Sequence, residues 1–273
     1  MLMTPSDSTV GRCVFSVGRR KHDVVQPFIQ KPSEAQAPLS ATPPSYAVDL
    51  NLDQILEGIR GTVAEYGLDH VFYRPLTNPT DIIYRQGIFQ DLEQDALLEG
   101  LRNFSNQFWL MRNTLAGSQK LENLPHREGW FLQGAHRYCT ALRSLDTLLF
   151  QHRLRSEGLL QLTAYLQDYL EGIAFQQLET ETEMILRALG ALRFDIIIQG
   201  LTVRIKKYEG EENFSSDIEA TFNRFRQGAT KNYLVQYIES PGLSSVEERI
   251  LNNLVRLFPK EFEKLHQFCE THA

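Results

Sequence analysis

The sequence lacks any apolar run close to the roughly 20 residues that a membrane-spanning helix needs. It also has few cysteines, since Cys13, Cys139 and Cys269 are the only three, and their wide separation shows no metal-ligand spacing. Basic residues are not in excess, because 34 acidic side chains against 28 basic ones give a formal net charge of -6. These absences argue against a transmembrane protein, a disulfide scaffold and a broadly basic surface. We therefore expect a reduced, cytoplasmic protein with no membrane partner.

The motifs that identify common enzymes are missing as well. No Gly-x-x-x-x-Gly-Lys-Ser/Thr phosphate loop occurs, and the segment from Gly228 to Lys231 has the wrong spacing for one. A Gly-x-Ser-x-Gly nucleophile elbow and a His-Glu-x-x-His zinc motif are also absent. His136 and Cys139 supply only two of the four ligands that structural zinc usually needs. We predict no catalytic residue, metal site or cofactor in this chain, and no ATP hydrolysis by the chain alone.

A mainly helical pattern follows an irregular beginning. Residues 1–48 hold six of the eleven prolines, so we predict that they form a largely irregular or disordered extension. Residues 49–120 predict a helical core, in which Asn51 caps one helix and Asn78 followed by Pro79 starts the next. A third helix is predicted from about residue 94 to residue 115. The side chains expected to be buried in this core are Leu52, Ile55, Leu56, Ile59, Val63, Ile82, Phe89, Leu92, Leu97, Leu98, Leu101, Phe104, Phe108 and Trp109.

Residues 121–273 predict long lever helices with a small β element. Apolar residues between Phe131 and Leu149 step by four and three, which is typical of a helix that packs along another long helix. The same stepping from Leu162 to Leu192, after a turn at residues 155–158, predicts a second long helix antiparallel to the first. The predicted fold class is mainly α, with a helical core, long antiparallel lever helices and a small antiparallel β element near residues 193–238. The seam residues of the first lever helix are Phe131, Ala135, Tyr138, Leu142, Leu145 and Leu149.

Two local signals define the ends of this region. β-Branched residues between 193 and 207, with a turn at Gln199-Gly200, predict a hairpin, and residues 233–238 predict a third strand. Ser244 and Glu247 form a capping box, and Pro259 restarts the final helix after Phe258. This last amphipathic pattern continues to the end without a stop signal, so the chain is expected to be truncated at its C-terminus. Its predicted apolar face is Val246, Ile250, Leu254, Leu257, Phe262, Leu265 and Phe268.

The densest group of basic side chains lies at the predicted hairpin and just after it. Tyr208, Phe225 and Tyr233 interleave with this group, as aromatic residues do in nucleic-acid binding surfaces. Acidic residues between 209 and 212 dilute its charge. Contact with phosphates and a mixed-charge surface exposed to water therefore both remain open. The candidate DNA-contact residues are Arg204, Lys206, Lys207, Arg224, Arg226 and Lys231.

Several separate segments, in order from Asp49 to the end, carry a family resemblance. Arg74-Pro75-Leu76 is followed by a polar spacer and by Arg85-Gln86, with an apolar pair at Ile88-Phe89. The segments Asp49–Ile55, Lys207–Gly210, Glu219–Phe222 and Leu257–Pro259 agree with the same pattern. Together they resemble the core region of the MutS family, and in particular a bacterial MutS-like subgroup.

The resemblance implies a DNA mismatch repair or related DNA-processing ATPase. In that family a helical core and levers connect a DNA clamp to a C-terminal ATPase domain, which binds ATP and Mg²⁺. DNA is therefore the implied partner, and a homodimer is implied through the ATPase domain. Neither the phosphate loop of that domain nor a mismatch-reading domain is evident in this sequence, so no catalytic residue is carried over. We predict a non-catalytic core and lever region, and the alternative is a stand-alone helical adaptor that binds a protein partner through its heptad-like seams.

Overall fold

The computed structural model describes residues 45–55, 58, 76–199, 202–208 and 242–273. Within these ranges the protein is mainly helical with a small two-stranded antiparallel sheet, which confirms the predicted fold class. The elements in chain order are α1 (Ser45–Asp49), α2 (Pro79–Leu92), α3 (Asp95–Ser118), α4 (Leu124–Gln151), α5 (Glu157–Glu171), α6 (Ile173–Gly190), β1 (Phe194–Gln199), β2 (Thr202–Lys207), α7 (Ser245–Leu257) and α8 (Pro259–His272).

The chain forms two compact units. The first unit contains the described parts of residues 16–101 and 145–168. The second unit contains residues 102–144 and the described parts of residues 169–273. Each unit therefore combines segments that are distant in the sequence.

In the first unit, the start of α2 is as predicted. The side-chain oxygen of Asn78 accepts a hydrogen bond from the backbone N–H of Thr80 at 3.0 Å, and Pro79 is the first helical residue. The buried residues of this helix are Tyr84 and Asp91, whereas Phe89 is 70% exposed. The expectation that Phe89 packs inward is therefore wrong, because the helix turns a polar face toward the interior.

The start of the helical core differs in detail from the prediction. Residues 45–48, assigned to the irregular extension, belong to α1. Asn51 adopts a left-handed backbone with a φ of 56°, and its carbonyl oxygen accepts a hydrogen bond from the Ile55 N–H. Residues 52–55 are helical, but Ile55 is exposed rather than buried. The rest of this predicted helix lies outside the described residues.

The long helices confirm the first predicted seam and correct the second. Helix α4 has 28 residues, which corresponds to about 42 Å at the helical rise. Its predicted seam residues are buried, apart from the half-buried Tyr138. The second lever is not continuous, because Gly172 adopts an extended backbone with a ψ of 138° between α5 and α6. This break changes the helical phase, so Ile173 is 85% exposed and burial resumes at Phe175 and Leu178.

Helix α3 buries fewer aromatic residues than predicted. Leu97, Met111 and Leu115 are buried, whereas Trp109 is 50% exposed. Phe108 is half-buried, and its ring centroid lies 6.1 Å from that of Tyr138 on α4. The burial of α3 is therefore carried mainly by aliphatic side chains.

The two C-terminal helices follow their sequence signals. The capping box is complete, because the side chains of Ser244 and Glu247 each accept a hydrogen bond from the backbone of the other residue. The chain turns at Phe258, which has a φ of -125° and a ψ of 54°, and Pro259 opens α8. Val246 is exposed, contrary to expectation, and Leu251 is buried. The predicted inward residues Ile250, Leu254, Phe262, Leu265 and Phe268 are all buried.

Candidate nucleic-acid interface

The predicted hairpin is present as β1 and β2. It carries three of the basic candidates, and these do not all lie on the same face of the sheet. Arg204 pairs with Ile197, Lys206 with Asp195, and Lys207 with Phe194. Side chains alternate between the two faces of a strand, and directly opposed residues share a face. Arg204 and Lys206 therefore lie on one face of the sheet, and Lys207 lies on the other.

Lys207 contacts the junction between the two C-terminal helices. Its Nζ lies 5.3 Å from the centroid of the Phe258 ring, a distance at which a cation is attracted to an aromatic face. Strand β2 also contacts α7. This side of the hairpin is therefore attached to the helical part of the second unit, and the role of Lys207 is attachment as well as charge.

The face that carries Arg204 and Lys206 is the remaining candidate surface for phosphates. Arg204 is exposed and Lys206 is half-buried. Asp195 stands opposite Lys206 and reduces the local positive charge, so two cations share this face with one carboxylate. Any contact between this face and a nucleic-acid backbone would therefore be weak and sensitive to salt. The other candidates, Arg224, Arg226 and Lys231, lie outside the described residues.

Of the five residues that carry the resemblance, Leu76 lies just before α2, and Arg85 and Gln86 lie within it. Leu76 is half-buried just before the helix, Arg85 is half-buried within it, and Gln86 is exposed. Burial lowers the pKa of Arg85, although the Asp81 carboxylate one turn earlier acts in the opposite direction. Arg74 and Pro75 fall in the part of the chain that the structure does not describe.

The structure reveals a buried carboxylate that the sequence did not indicate. The Asp91 carboxylate accepts hydrogen bonds from the backbone N–H of Arg155, at 3.0 and 3.1 Å, and from that of Ser156, at 2.7 Å. These N–H groups lie at the start of α5. Burial acts to raise the pKa of Asp91, but the hydrogen bonds from Ser156 and Arg155 outweigh burial and lower it. Asp91 therefore joins α2 to the N-terminus of α5 as a charged group.

A glycine permits this close approach of α2 and α5. A Cβ atom at Gly158 would lie 2.6 Å from Cδ1 of Ile88 and 3.0 Å from the Tyr84 hydroxyl oxygen. Burial, followed by the charge of Glu157, raises the pKa of Tyr84, so this hydroxyl stays protonated. Asp91, Tyr84, Ile88 and Gly158 therefore form a packed junction, which we call the α2–α5 junction.

The described residues show neither a metal centre nor a reactive thiol. No group of three or more His, Cys, Asp or Glu side chains among them is placed to hold a metal ion. Cys139 and Cys269 are buried, and burial raises the pKa of each thiol to about 12. His136 is exposed while Cys139 is buried, so the two do not face a common site. In the same ranges, no helix has both the length and the apolar composition needed to cross a membrane.

No protein-family model matches the chain, and no curated sequence or solved structure matches it.

Proposed function

We propose that this chain is the non-catalytic core and lever region of a MutS-like DNA repair ATPase, where it couples DNA contact to nucleotide-driven movement. The observation that carries the proposal is the two-sided hairpin. One face presents Arg204 and Lys206, while Lys207 on the other face contacts Phe258 between α7 and α8. A phosphate backbone bound at the first face would thus be connected to the helices through the second.

A continuous series of contacts leads from the hairpin into the helices of the second unit. Strand β2 contacts α7, α7 contacts α8, and α8 contacts α6. Packed helices move as rigid elements, so a displacement at one end of such a series reaches the other. Coupling of this kind needs packing rather than a catalytic residue, in agreement with the absence of a phosphate loop from the sequence.

The proposal also assigns partners to the chain. DNA is the ligand of the hairpin face, and ATP with Mg²⁺ binds to an ATPase domain outside these 273 residues. That domain would also form the homodimer. The compartment is the cytoplasm, where the buried thiols of Cys139 and Cys269 would remain reduced.

The decisive experiment is salt-dependent DNA binding by variants of the hairpin. Fluorescence anisotropy with a labelled duplex gives the binding constant over a range of salt concentrations. Replacing both Arg204 and Lys206 by Gln should lower the slope of log K against log salt by about 2, since each phosphate contact contributes about 0.9. The matched control replaces Lys260 and Lys264 by Gln, because these two cations are exposed on α8. We expect the control to leave the slope unchanged.

Three outcomes would contradict the proposal. Equal slopes for the unmodified chain and the Arg204/Lys206 variant would remove the hairpin face as a DNA site. A chain that binds no duplex at low salt would favour the alternative function, a helical adaptor for a protein partner. ATP turnover by the purified chain would contradict its non-catalytic role.

A further inference from the structure

Helix α8 carries two histidines whose rings contact glutamates on two different helices of the same unit. Nδ1 of His266 lies 2.5 Å from Oε1 of Glu128 on α4. Nε2 of His272 lies 2.9 Å from Oε2 of Glu181 on α6. The second half of α8 is therefore held by two polar contacts, from His266 and His272, in addition to its apolar packing.

The His266 contact is unusual because its carboxylate is nearly removed from water. Only 8% of the Glu128 side chain is exposed, compared with 41% for that of His266. The Cys269 thiol, one turn after His266, donates to the backbone oxygen of Glu128 at 3.7 Å. A buried carboxylate needs a compensating charge or hydrogen bonds, and an imidazolium ring supplies both.

We propose that the contact between His266 and Glu128 is a pH-dependent latch, which holds α8 on α4 more strongly when the imidazole is protonated. This inference rests on the geometry of the second unit and does not depend on the proposed DNA contact. It assigns a regulatory role to two residues that contribute nothing to the hairpin surface.

The charges around His266 are mainly negative. Glu128 faces it from α4, and Glu263 and Glu270 face it from its own helix, with Oε1 of Glu270 at 3.4 Å from Nε2. On α6, Glu181 contacts His272 rather than His266. On α4, the cation Arg127 acts electrostatically on the Cys269 thiol. The hydrogen bond and the charge of Glu128 therefore raise the pKa of His266, with smaller contributions from Glu270 and Glu263.

The direction of the pH effect follows from this shift. The ordinary pKa of histidine is 6.5, and the folded value lies above it. The folded state thus binds the proton more tightly than the unfolded state, so the stabilisation is fully present below pH 6.5. It is lost as the pH rises through the raised pKa of His266. Above that pH the ring is neutral and no longer supplies a positive charge next to the Glu128 side chain.

Apolar contacts keep α8 attached in both protonation states. Phe262, Leu265 and Phe268 are buried, and the ring of Phe268 lies 5.9 Å from that of Phe131 on α4. The latch therefore changes how often α8 opens and does not release the helix completely. Its effect should appear as local opening confined to α8.

Hydrogen exchange with mass spectrometry on the full chain tests this inference. Between about pH 6 and pH 8.5, after correction for the intrinsic exchange rate, protection of α8 should fall as the pH rises. We expect a decrease of up to about tenfold for each unit by which the pKa of His266 exceeds its ordinary value. The variants His266→Gln and Glu128→Gln should each show a smaller decrease in α8 protection with rising pH than the unmodified chain, because the contact between His272 and Glu181 is still present in both. The control His136→Gln alters an exposed histidine on α4 and should retain the dependence of the unmodified chain.

A second measurement does not depend on any variant folding. An NMR titration of the unmodified chain reports the protonation of the His266 ring directly. A midpoint above pH 6.5 supports the latch, and a midpoint at or below 6.5 overturns it. Protection of α8 that is independent of pH in the unmodified chain, or equally pH-dependent in His266→Gln, would overturn it as well.

Discussion

Asp91 in the first unit and Glu128 in the second are both buried carboxylates at a contact between helices, but they have different partners. Asp91 accepts hydrogen bonds from backbone N–H groups of Arg155 and Ser156. Glu128 contacts the imidazole ring of His266. Backbone N–H groups do not titrate near neutral pH, whereas an imidazole does. If the proposed latch operates, the partner decides whether a buried carboxylate makes a pH-independent contact or a pH-dependent one.

The helix N-terminus explains why Asp91 is stable as an anion. The first N–H groups of a helix have no partner within the helix, and the helix dipole places partial positive charge at that end. Asp91 supplies acceptors for the N–H groups of Arg155 and Ser156, the two residues just before α5, and its pKa is lowered below the ordinary value of 3.8. Its contribution to stability is therefore present above pH 3.8 and is lost only as the pH falls through its lowered pKa.

The largest expected effect is that of removing the Asp91 carboxylate. Asp91→Ala leaves two N–H groups at the start of α5 without acceptors, and this should lower the free energy of unfolding by about 2–4 kcal/mol. Asp91→Asn keeps one acceptor oxygen and should lose less. Urea unfolding at several values between about pH 6 and pH 8.5 measures both variants. The loss should be constant over this interval, in contrast to the behaviour expected of the Glu128 contact.

The control for this experiment is a carboxylate of the same type on the surface. Asp168 is exposed on α5, so Asp168→Ala should change the free energy of unfolding by no more than about 0.5 kcal/mol. An Asp91→Ala variant as stable as this control would contradict the role assigned to the α2–α5 junction. If the loss of unfolding free energy in Asp91→Ala varied with pH in the neutral range, Asp91 and Glu128 would not differ in the way described above.

A substitution at Gly158 tests whether the contacts of Asp91 depend on close helix packing. Gly158→Val places atoms against Ile88 and Tyr84, where a Cβ alone would already lie 2.6 Å from Cδ1 of Ile88. Overpacking of this kind should destabilise the chain by about 1–3 kcal/mol. Since separation of α2 from α5 would also lengthen the Asp91 hydrogen bonds, the effects of Gly158→Val and Asp91→Ala should be less than additive. Strict additivity in a double-mutant cycle would show that the carboxylate acts independently of the packing.

Signals that lie within a few residues of one another predicted the fold well. Asn78 with Pro79 marked the start of α2, and Ser244 with Glu247 marked the start of α7. The apolar stepping of α4 predicted its buried seam. Each of these features is determined by local backbone chemistry or by helical period. The break at Gly172 was missed because one glycine is tolerated within many helices, and only tertiary packing decides whether it interrupts one.

The features that sequence reasoning missed depend on distant partners. Asp91 contacts a residue 64 positions away, and Glu128 contacts one 138 positions away. A polar residue in a helix is ordinarily assigned to the surface, so burial of these two carries no local signal. Phe89 and Trp109 show the converse error, because large apolar side chains were assigned to the interior although both are exposed. At the hairpin the strands were predictable, but the contact between Lys207 and Phe258 was not, because the two residues are distant in the sequence.

The smallest expected effect comes from Gly87, which faces the same junction from the other helix. A Cβ atom at Gly87 would lie 3.5 Å from Cβ of Ser156, an ordinary van der Waals distance. Gly87→Ala should therefore fit and should stabilise the chain by about 0.5–1 kcal/mol, because alanine loses less backbone entropy than glycine within a helix. Thermal and urea unfolding of Gly87→Ala and Gly158→Val should show changes of opposite sign in the free energy of unfolding, although both glycines lie at the α2–α5 junction. Destabilisation by Gly87→Ala would mean that α2 lies closer to Ser156 than these distances indicate. In that case close packing of α2 against Ser156 would be what keeps the Asp91 hydrogen bonds short.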